Sequence, residues 1–302
     1  MKLSVVVPCY NEAVNVSEFE SELSKVLLKE KITYEIIFID DGSTDDTYSK
    51  LSSLNKANKN VKVIRFSRNF GKESAMLAGL KNASGSYVAI MDADLQHTPE
   101  MLVLMYKKLI NDDSFDCCCA YKSNREDEGS LKRTLTSLFY KINNKISDVK
   151  LLPGASDFRV FKKSVCDAIT SLDEKTRFLK GMFSWVGFNT IYVPYMPEKR
   201  MYGTSKWSLF KLLKYSLGGI ISFSTKPIKS VFIIGVVALI VGLLNFILMG
   251  NLANKTIILF ISFIMLQLGI ISLYVSRIHS NILNRPCYII KEKLGFNDKS
   301  SK

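Results

Sequence analysis

Two uncharged apolar runs, 19 residues at 231–249 and 21 at 256–276, most constrain what this chain can fold into. Each reaches the roughly 20 residues that a helix needs to cross about 30 Å of hydrocarbon. Only Gly250-Asn251-Leu252-Ala253-Asn254-Lys255 separates them, so the spacing predicts a hairpin with both ends on one side. Lys226 and Lys229 precede the first run, and Arg277, Arg285, Lys291 and Lys293 follow the second, while the linker holds Lys255 alone. Basic residues are retained on the inner side, which predicts that both termini are cytoplasmic. A wholly soluble chain is excluded on this reading. Just upstream, in residues 205–217, Leu209, Leu212, Leu213 and Leu217 fall on one helical face and Lys211 and Lys214 lie away from it. Such a basic amphipathic helix beside a span suits anionic headgroups.

The rest of the 302 residues alternates between two periodicities. Residues 3–8, 34–40, 61–67, 87–92 and 115–121 are short Val/Ile/Phe-rich runs, as expected of parallel strands buried on both faces. Helical patterns occupy 14–29, 45–58, 72–83 and 99–111, with starts at Thr44/Asp45 and at Thr98-Pro99. The spacing predicts β-α-β units and a doubly wound, mostly parallel sheet. No G-x-G-x-x-G follows the first strand, which removes the dinucleotide fingerprint and with it most of the case for hydride transfer. The six cysteines form no C-x-x-C pair. Cys117, Cys118 and Cys119 read as small hydrophobes in a strand, and the N-terminus carries no signal-peptide pattern, which predicts a reducing cytoplasm for the bulk of the chain. The 41 Lys and Arg against 28 Asp and Glu, a net +13, suit a polyanionic partner. Without an aromatic RNA-binding motif or zinc-finger spacing, nucleic acid is not expected to be that partner.

In open α/β sheets ligands bind beyond the carboxyl ends of the strands, and three of those ends are rich in chemistry: Pro8-Cys9-Tyr10-Asn11-Glu12, Asp40-Asp41-Gly42-Ser43-Thr44-Asp45 and Asp92-Ala93-Asp94-Leu95-Gln96. Asp92 and Asp94 are two apart, so in an extended segment their carboxylates point the same way. Converging carboxylates repel unless a cation lies between them. An all-oxygen donor set that includes Gln96 favours Mg²⁺ or Mn²⁺ over zinc, and such an ion would neutralise a diphosphate leaving group.

Pro8-x-Tyr10-Asn11-Glu12, Asp40-Asp41-Gly42-Ser43-x-Asp45 and Asp92-Ala93-Asp94-Leu95-Gln96-His97 resemble the signature of the inverting glycosyltransferases of family 2, with the GT-A fold. Ser67-Arg68-Asn69-Phe70-Gly71-Lys72, Ser156-Asp157-Phe158-Arg159, Arg200-x-x-Gly203-x-Ser205-Lys206 and the C-terminal hairpin narrow the resemblance to polyprenyl-phosphate glycosyltransferases, especially the bactoprenol glucosyltransferases, with dolichol-phosphate mannose synthases as relatives. The resemblance implies a GT-A domain over 1–200, a donor loop and juxtamembrane helices over 201–229, a two-helix transmembrane hairpin over 230–277 and a basic cytoplasmic tail over 278–302. It further implies a multi-pass protein of the inner membrane that forms a homo-oligomer.

By the same resemblance Pro8, Tyr10, Asn11, Glu12, Asp40 and Asp41 would hold the base and ribose of a nucleotide sugar. Asp92 and Ala93 would contact the nucleotide near the metal, and Asp92, Asp94 and Gln96 would bind Mg²⁺ or Mn²⁺ and the diphosphate. Arg200 and Lys206 would clamp the donor phosphates, and Asp157 matches the catalytic acid. Lys122, Arg125, Arg133 and Ser137 are the acceptor-phosphate candidates. Relatives carry arginine where this chain has Lys122, and lysine supplies charge without a bidentate fork. Arg68 and Arg159 could equally form ion pairs that position loops. The implied reaction transfers a hexose, glucose from UDP-glucose, to undecaprenyl phosphate with inversion. GDP-mannose as donor, or a non-catalytic lipid-binding scaffold, are the alternatives. A processive polysaccharide synthase would carry a Q-x-x-R-W motif, which Lys180-Gly181-Met182-Phe183-Ser184-Trp185 lacks.

Overall fold

Residues 2–122, 130–175, 177–196, 218–219, 221–248 and 253–296 are described by the structure, a computed structural model. The β-rich runs become β1 (Lys2–Cys9), β2 (Thr33–Asp40), β3 (Val61–Phe66), β4 (Tyr87–Ile90) and β5 (Cys117–Lys122), and the helical patterns become α1 (Val16–Lys29), α2 (Thr47–Ala57), α3 (Lys72–Asn82) and α4 (Pro99–Asn111). Then follow α5 (Ser130–Ile146), β6 (Ala155–Lys162), α6 (Lys163–Thr170), α7 (Leu179–Trp185) and β7 (Thr190–Tyr195). The chain closes with α8 (Lys226–Leu248), α9 (Ala253–Ile282) and β8 (Ile290–Leu294). Thr98 caps α4 by accepting the Met101 amide, with Pro99 at the first helical position. Helix α2 starts two residues later than the sequence pattern suggests, because Asp45 remains outside it and accepts the Thr47 amide at 3.0 Å.

The strands form one sheet in the order β7-β5-β6-β4-β1-β2-β3-β8. Strands β3, β2, β1 and β4 are parallel neighbours, as expected of β-α-β units. The run at 115–121 was expected to extend this parallel set, and here the structure corrects the reading. Strand β5 is separated from β4 by β6, which runs antiparallel to both, and its parallel neighbour is β7. The connection through α5 ends at the edge where β5 ended, so β6 enters the sheet from the carboxyl side. The start of β6 therefore lies beside the ends of the parallel strands. Pro194 is tolerated in β7 because that strand is an edge. The result is a GT-A, Rossmann-like α/β fold with a mostly parallel sheet.

Alternate residues of each central strand enter opposite cores. Val5, Val7, Ile36, Phe38 and Cys118 pack on the side of α1 and α4, and Val6, Ile37, Ile39 and Cys117 pack on the side of α3 and α6. The triple cysteine is buried in β5 as predicted, and all six cysteines are free. Burial pushes the Cys117 and Cys118 thiols up to about 12, which leaves them inert.

The expected spans correspond to α8 and α9. Among the described residues one segment, Phe263–Ile282 of α9, is long and apolar enough to cross a membrane, and none of it is buried inside the protein. The foot of α8 is bolted to the domain: the Ser224 hydroxyl donates to the Ile146 carbonyl at 2.5 Å, and the Tyr274 hydroxyl of α9 donates to the Ser224 carbonyl at 2.8 Å. The chain leaves the domain at α8 and rejoins its sheet at β8, so both ends of the helical pair lie on the domain's side. Strand β8 falls within the segment expected to be a tail. The amphipathic stretch at 205–217 lies outside the described residues.

Candidate active site

The carboxyl edge of the sheet is assembled by loops that hold one another. Asn11, just past β1, has φ +54°, a left-handed conformation that asparagine accepts more readily than most residues. Its side-chain oxygen accepts the Thr44 amide at 2.9 Å and its own amide donates to the Ser43 hydroxyl at 3.0 Å. The Glu12 amide donates to the Thr47 hydroxyl at 2.8 Å. The first two motifs are therefore one surface, from which Tyr10 projects 37% exposed. Pro8 is half-buried in β1 below it.

Asp40 and Asp41, expected to hold the base and ribose of the nucleotide, are both buried and engaged with protein groups. Asp40 accepts the Ser43 amide at 3.0 Å and faces Arg65 at 3.6 Å. The Asp41 carboxylate accepts the Phe70 amide at 2.7 Å and the Gly71 amide at 2.9 Å, so it grips the loop between β3 and α3. Burial pushes the Asp41 carboxyl up to about 6, although those two amides and Arg68 pull it down, with Asp40 adding to the rise. Gly42, at φ +66°, is required here: a Cβ would lie 2.3 Å from the Arg68 carbonyl carbon.

At the centre four charged groups alternate in sign. Lys72, the first residue of α3, places its Nζ 2.7 and 2.9 Å from the two Asp92 oxygens and 3.2 Å from Asp157 Oδ2. Lys180, on α7, lies 3.9 Å from Asp157 Oδ1 and donates to the Ala155 carbonyl at 3.0 Å. Glu73 accepts the Leu179 amide at 3.2 Å, so the helices that carry the two lysines are tied together at their starts. Burial alone would raise the Asp157 carboxyl, but Lys180 and Lys72 hold it well below the usual carboxylate range. Burial likewise disfavours charge on Lys72, and Asp92 and Asp157 outweigh it, holding the ammonium protonated.

The sequence motifs named Lys72 and His97 without giving them a role. His97 is buried, and its Nε2 lies 3.0 Å from the Tyr195 hydroxyl and 3.2 Å from the Ser156 hydroxyl. It joins the loop after β4 to the start of β6 and the end of β7. Lys180 carries no sequence signal, because its partner is on a strand 23 residues earlier. A polar cavity of about 240 Å³ opens beside Asp157, walled by Lys122, Tyr140, Ser156, Lys180 and Tyr195. Lys122 thus faces the same space as Asp157. Ser137 is exposed on α5 one turn before Tyr140, and Arg133 is placed on the same helix. Arg125, Arg200 and Lys206 lie outside the described residues. Arg68 and Arg159 stack on the Phe70 and Phe183 rings at 4.0 and 4.4 Å.

A larger hollow of about 590 Å³ lies against α4, walled by Val103, Leu104 and Ile191, and holds none of these groups.

A hard divalent cation fits the donor set. Asp94 accepts the Gln96 amide at 3.2 Å in the turn made by Leu95 at φ +55°, next to Asp92 and the buried Ala93. Among the described residues no three His, Cys, Asp or Glu side chains converge. Asp94 and Asp92 would offer such an ion one or two carboxylates, with the remaining positions left to phosphate and water, the way Mg²⁺ is commonly held.

Comparison with known proteins gives the family and the fold. The family model "Glycosyl transferase family 2" matches residues 4–170. A glycosyltransferase of Synechocystis is 36% identical over 311 residues, covering 98% of this chain and 96% of the relative. The bactoprenol glucosyl transferase derived from prophage SfII in Shigella flexneri is 35% identical over 305 residues, covering 97% and 98%. The crystal structure of glucosyl-3-phosphoglycerate synthase from Mycobacterium tuberculosis with Mn²⁺, UDP-glucose and phosphoglyceric acid shares the fold, with a TM-score of 0.51, 18% identity and coverage of 73% of this chain and 77% of that one.

Proposed function

Because the chain belongs to glycosyl transferase family 2, we propose that it transfers glucose from UDP-glucose to undecaprenyl phosphate at the cytoplasmic face of the inner membrane, with inversion. The observation that carries this reading is Asp157, held ionised between Lys72 and Lys180 at the mouth of a cavity that also presents Lys122. A carboxylate so far below its ordinary range is a weak base, and this acceptor does not need a strong one. The second ionisation of a phosphate monoester lies near pH 6, so the attacking oxygen is already anionic. Lys122 and Lys180 would hold that phosphate, and Asp157 would orient it and face the positive charge that develops on the sugar. One phosphate oxygen forms the bond to the anomeric carbon as the bond to the diphosphate breaks, and the electron pair leaves with the nucleoside diphosphate. Arg200 and Lys206 would receive that charge. Asp94, with Asp92 and Gln96, would hold Mg²⁺ or Mn²⁺, which neutralises the diphosphate when bound. Lys72 must then share or give up Asp92.

The acceptor is supported by the name of the Shigella relative, and the lipid-facing setting by α9. In this reading residues 1–200 are the transferase domain and 201–229 lie along the membrane surface. Residues 230–277 cross as a hairpin, and 278–302 return to the cytoplasmic domain, with the protein assembled as a homo-oligomer. The test uses the detergent-purified full chain, undecaprenyl phosphate, Mn²⁺ or Mg²⁺ and a panel of radiolabelled nucleotide sugars. Metal-dependent entry of label from UDP-glucose into the organic phase, lost in Asp94→Ala, is the expected result. Label from GDP-mannose instead would change the donor and keep the mechanism. No transfer from any donor by folded protein would leave the lipid-binding scaffold.

A further inference from the structure

The segment that follows α9 comes back to the loop that leads into Lys72. Strand β8 pairs antiparallel with β3, and a bulge at Arg65/Phe66 shifts its register. The bulge also switches which face β8 presents, so that Ile290 packs on the α3 side of the sheet and Leu294 on the other. Just before the strand, the Tyr288 ring stacks on Phe66 at 5.0 Å with planes 8° apart, and Phe66 in turn meets Phe70 edge-on at 5.8 Å. The Ile289 carbonyl accepts the Ser67 amide at 3.0 Å, at the first residue of the loop.

From the opposite side the same loop is gripped by Asp41 at the amides of Phe70 and Gly71, and Gly42 lets Arg68 and Asn69 approach. Gly71, at φ +97°, then turns the chain directly into Lys72. The loop from Ser67 to Gly71 is thus clamped between the end of β2 and the segment that returns from the helical pair. Its far end delivers the ammonium that lies between Asp92 and Asp157.

We propose that Tyr288 is a positioning residue for the active centre: by stacking on Phe66 it sets the loop that places Lys72 between Asp92 and Asp157, so that the chain beyond the helical pair completes the site. The kinetic arm of this proposal rests on the transferase reading. A ring stacked on a ring needs no hydroxyl, so Tyr288→Phe should behave as the native chain does, whereas Tyr288→Ala removes the stack. A displacement of about 1 Å remote from the chemistry can lower a rate as much as about 100-fold.

The experiment uses the full-length protein in detergent and reads turnover together with amide hydrogen exchange. Tyr288→Ala is expected to lower kcat by about 10- to 100-fold with the donor KM changed less than about threefold, and Tyr288→Phe to restore it. In a Lys72→Met background the further change made by Tyr288→Ala should fall below about twofold, because the ring acts through that lysine. The Phe70 and Gly71 amides should exchange at least about tenfold faster in Tyr288→Ala while those of α1 are unaffected. If Tyr288→Ala does not fold, Tyr288→Leu keeps an apolar side chain without the stacked ring. A native rate in the variant, multiplicative effects with Lys72→Met, or unchanged exchange at Phe70 and Gly71 would each overturn the proposal. If the native protein transfers no sugar, it is the transferase reading that fails, and the exchange result still decides the role of Tyr288.

Discussion

Asp157 is half-buried and Asp41 buried, and their surroundings drive the two carboxyls in opposite directions. Lysines on two sides keep Asp157 ionised throughout the working range, whereas burial, with Asp40 beside it, raises Asp41 to about 6 against the pull of two amides and Arg68. Asp41 should therefore contribute to the acidic limb of the rate profile, beside the acceptor phosphate, whose second ionisation also lies near pH 6. Above about pH 6 its carboxylate grips the loop that carries Lys72, and the rate falls as protonation weakens that grip. Stability runs the other way. A raised carboxyl pKa favours the fold fully below the unfolded value of 3.8, and that contribution is lost as pH rises through about 6. Asp41→Asn should make the limb shallower in a pH–rate profile, leaving the ionisation of the acceptor phosphate. Asp157→Asn should lower the rate about 100-fold or more and leave the limb where it is. A limb that moves with Asp157→Asn would show that Asp157 is a base. Lys180→Met should raise the KM for the lipid phosphate about tenfold with little change in the donor KM, the loss of one charge-assisted contact; a steady-state titration of each substrate checks it. Asp94 and Asp157 could be named from their motifs, and Lys122 from its place after the strand at 115–121. Lys180 was not, because a lysine that meets its partner only through the packing of two helices has no local spacing to announce it.

Among the elements, the parallel core was readable because buried parallel strands are continuous apolar runs: β1 to β4 fall within two residues of their expected bounds. Strands β6, β7 and β8 were not read as strands. Each carries charged or aromatic residues and takes its strand character from a neighbour that is distant in sequence: β4 and β5 for β6, β5 for β7 and β3 for β8. The same distance explains why β6 was not expected to reverse direction. At the far edge of the sheet from the site, Glu35 is almost fully buried and bonded to Lys2, Lys62 and the Ser4 hydroxyl. Burial would raise its carboxyl, and these partners hold it at about 2 instead. Its contribution is present above the unfolded value of 4.5 and is lost as pH falls toward about 2. Glu35→Gln should cost about 3 kcal/mol at neutral pH, from the size of that shift, with no change in substrate KM. Thermal unfolding in detergent between pH 7 and 3 measures it: the native protein should lose stability on acidification and converge on the variant.

For the whole molecule, the departure of the chain at Ser224 and its return at β8 give the helical pair two anchors on one domain. If that pair crosses the membrane, its linker must face the opposite side. In a Cys287→Ser background, Asn251→Cys should react with an impermeant maleimide on intact cells, and Arg285→Cys only after the cells are opened. Labelling of Arg285→Cys from outside would break the hairpin topology. The central claim is that a lipid phosphate held beside Asp157 displaces a nucleoside diphosphate directly, and the configuration of the product tests this most closely. The full-length protein would be incubated with an α-linked nucleotide glucose, undecaprenyl phosphate and Mn²⁺, and the glycolipid examined by mass and by anomeric proton coupling. The account predicts a β-linked polyprenyl-phosphate glucose. An α-linked lipid, or free glucose in place of a lipid product, would contradict it.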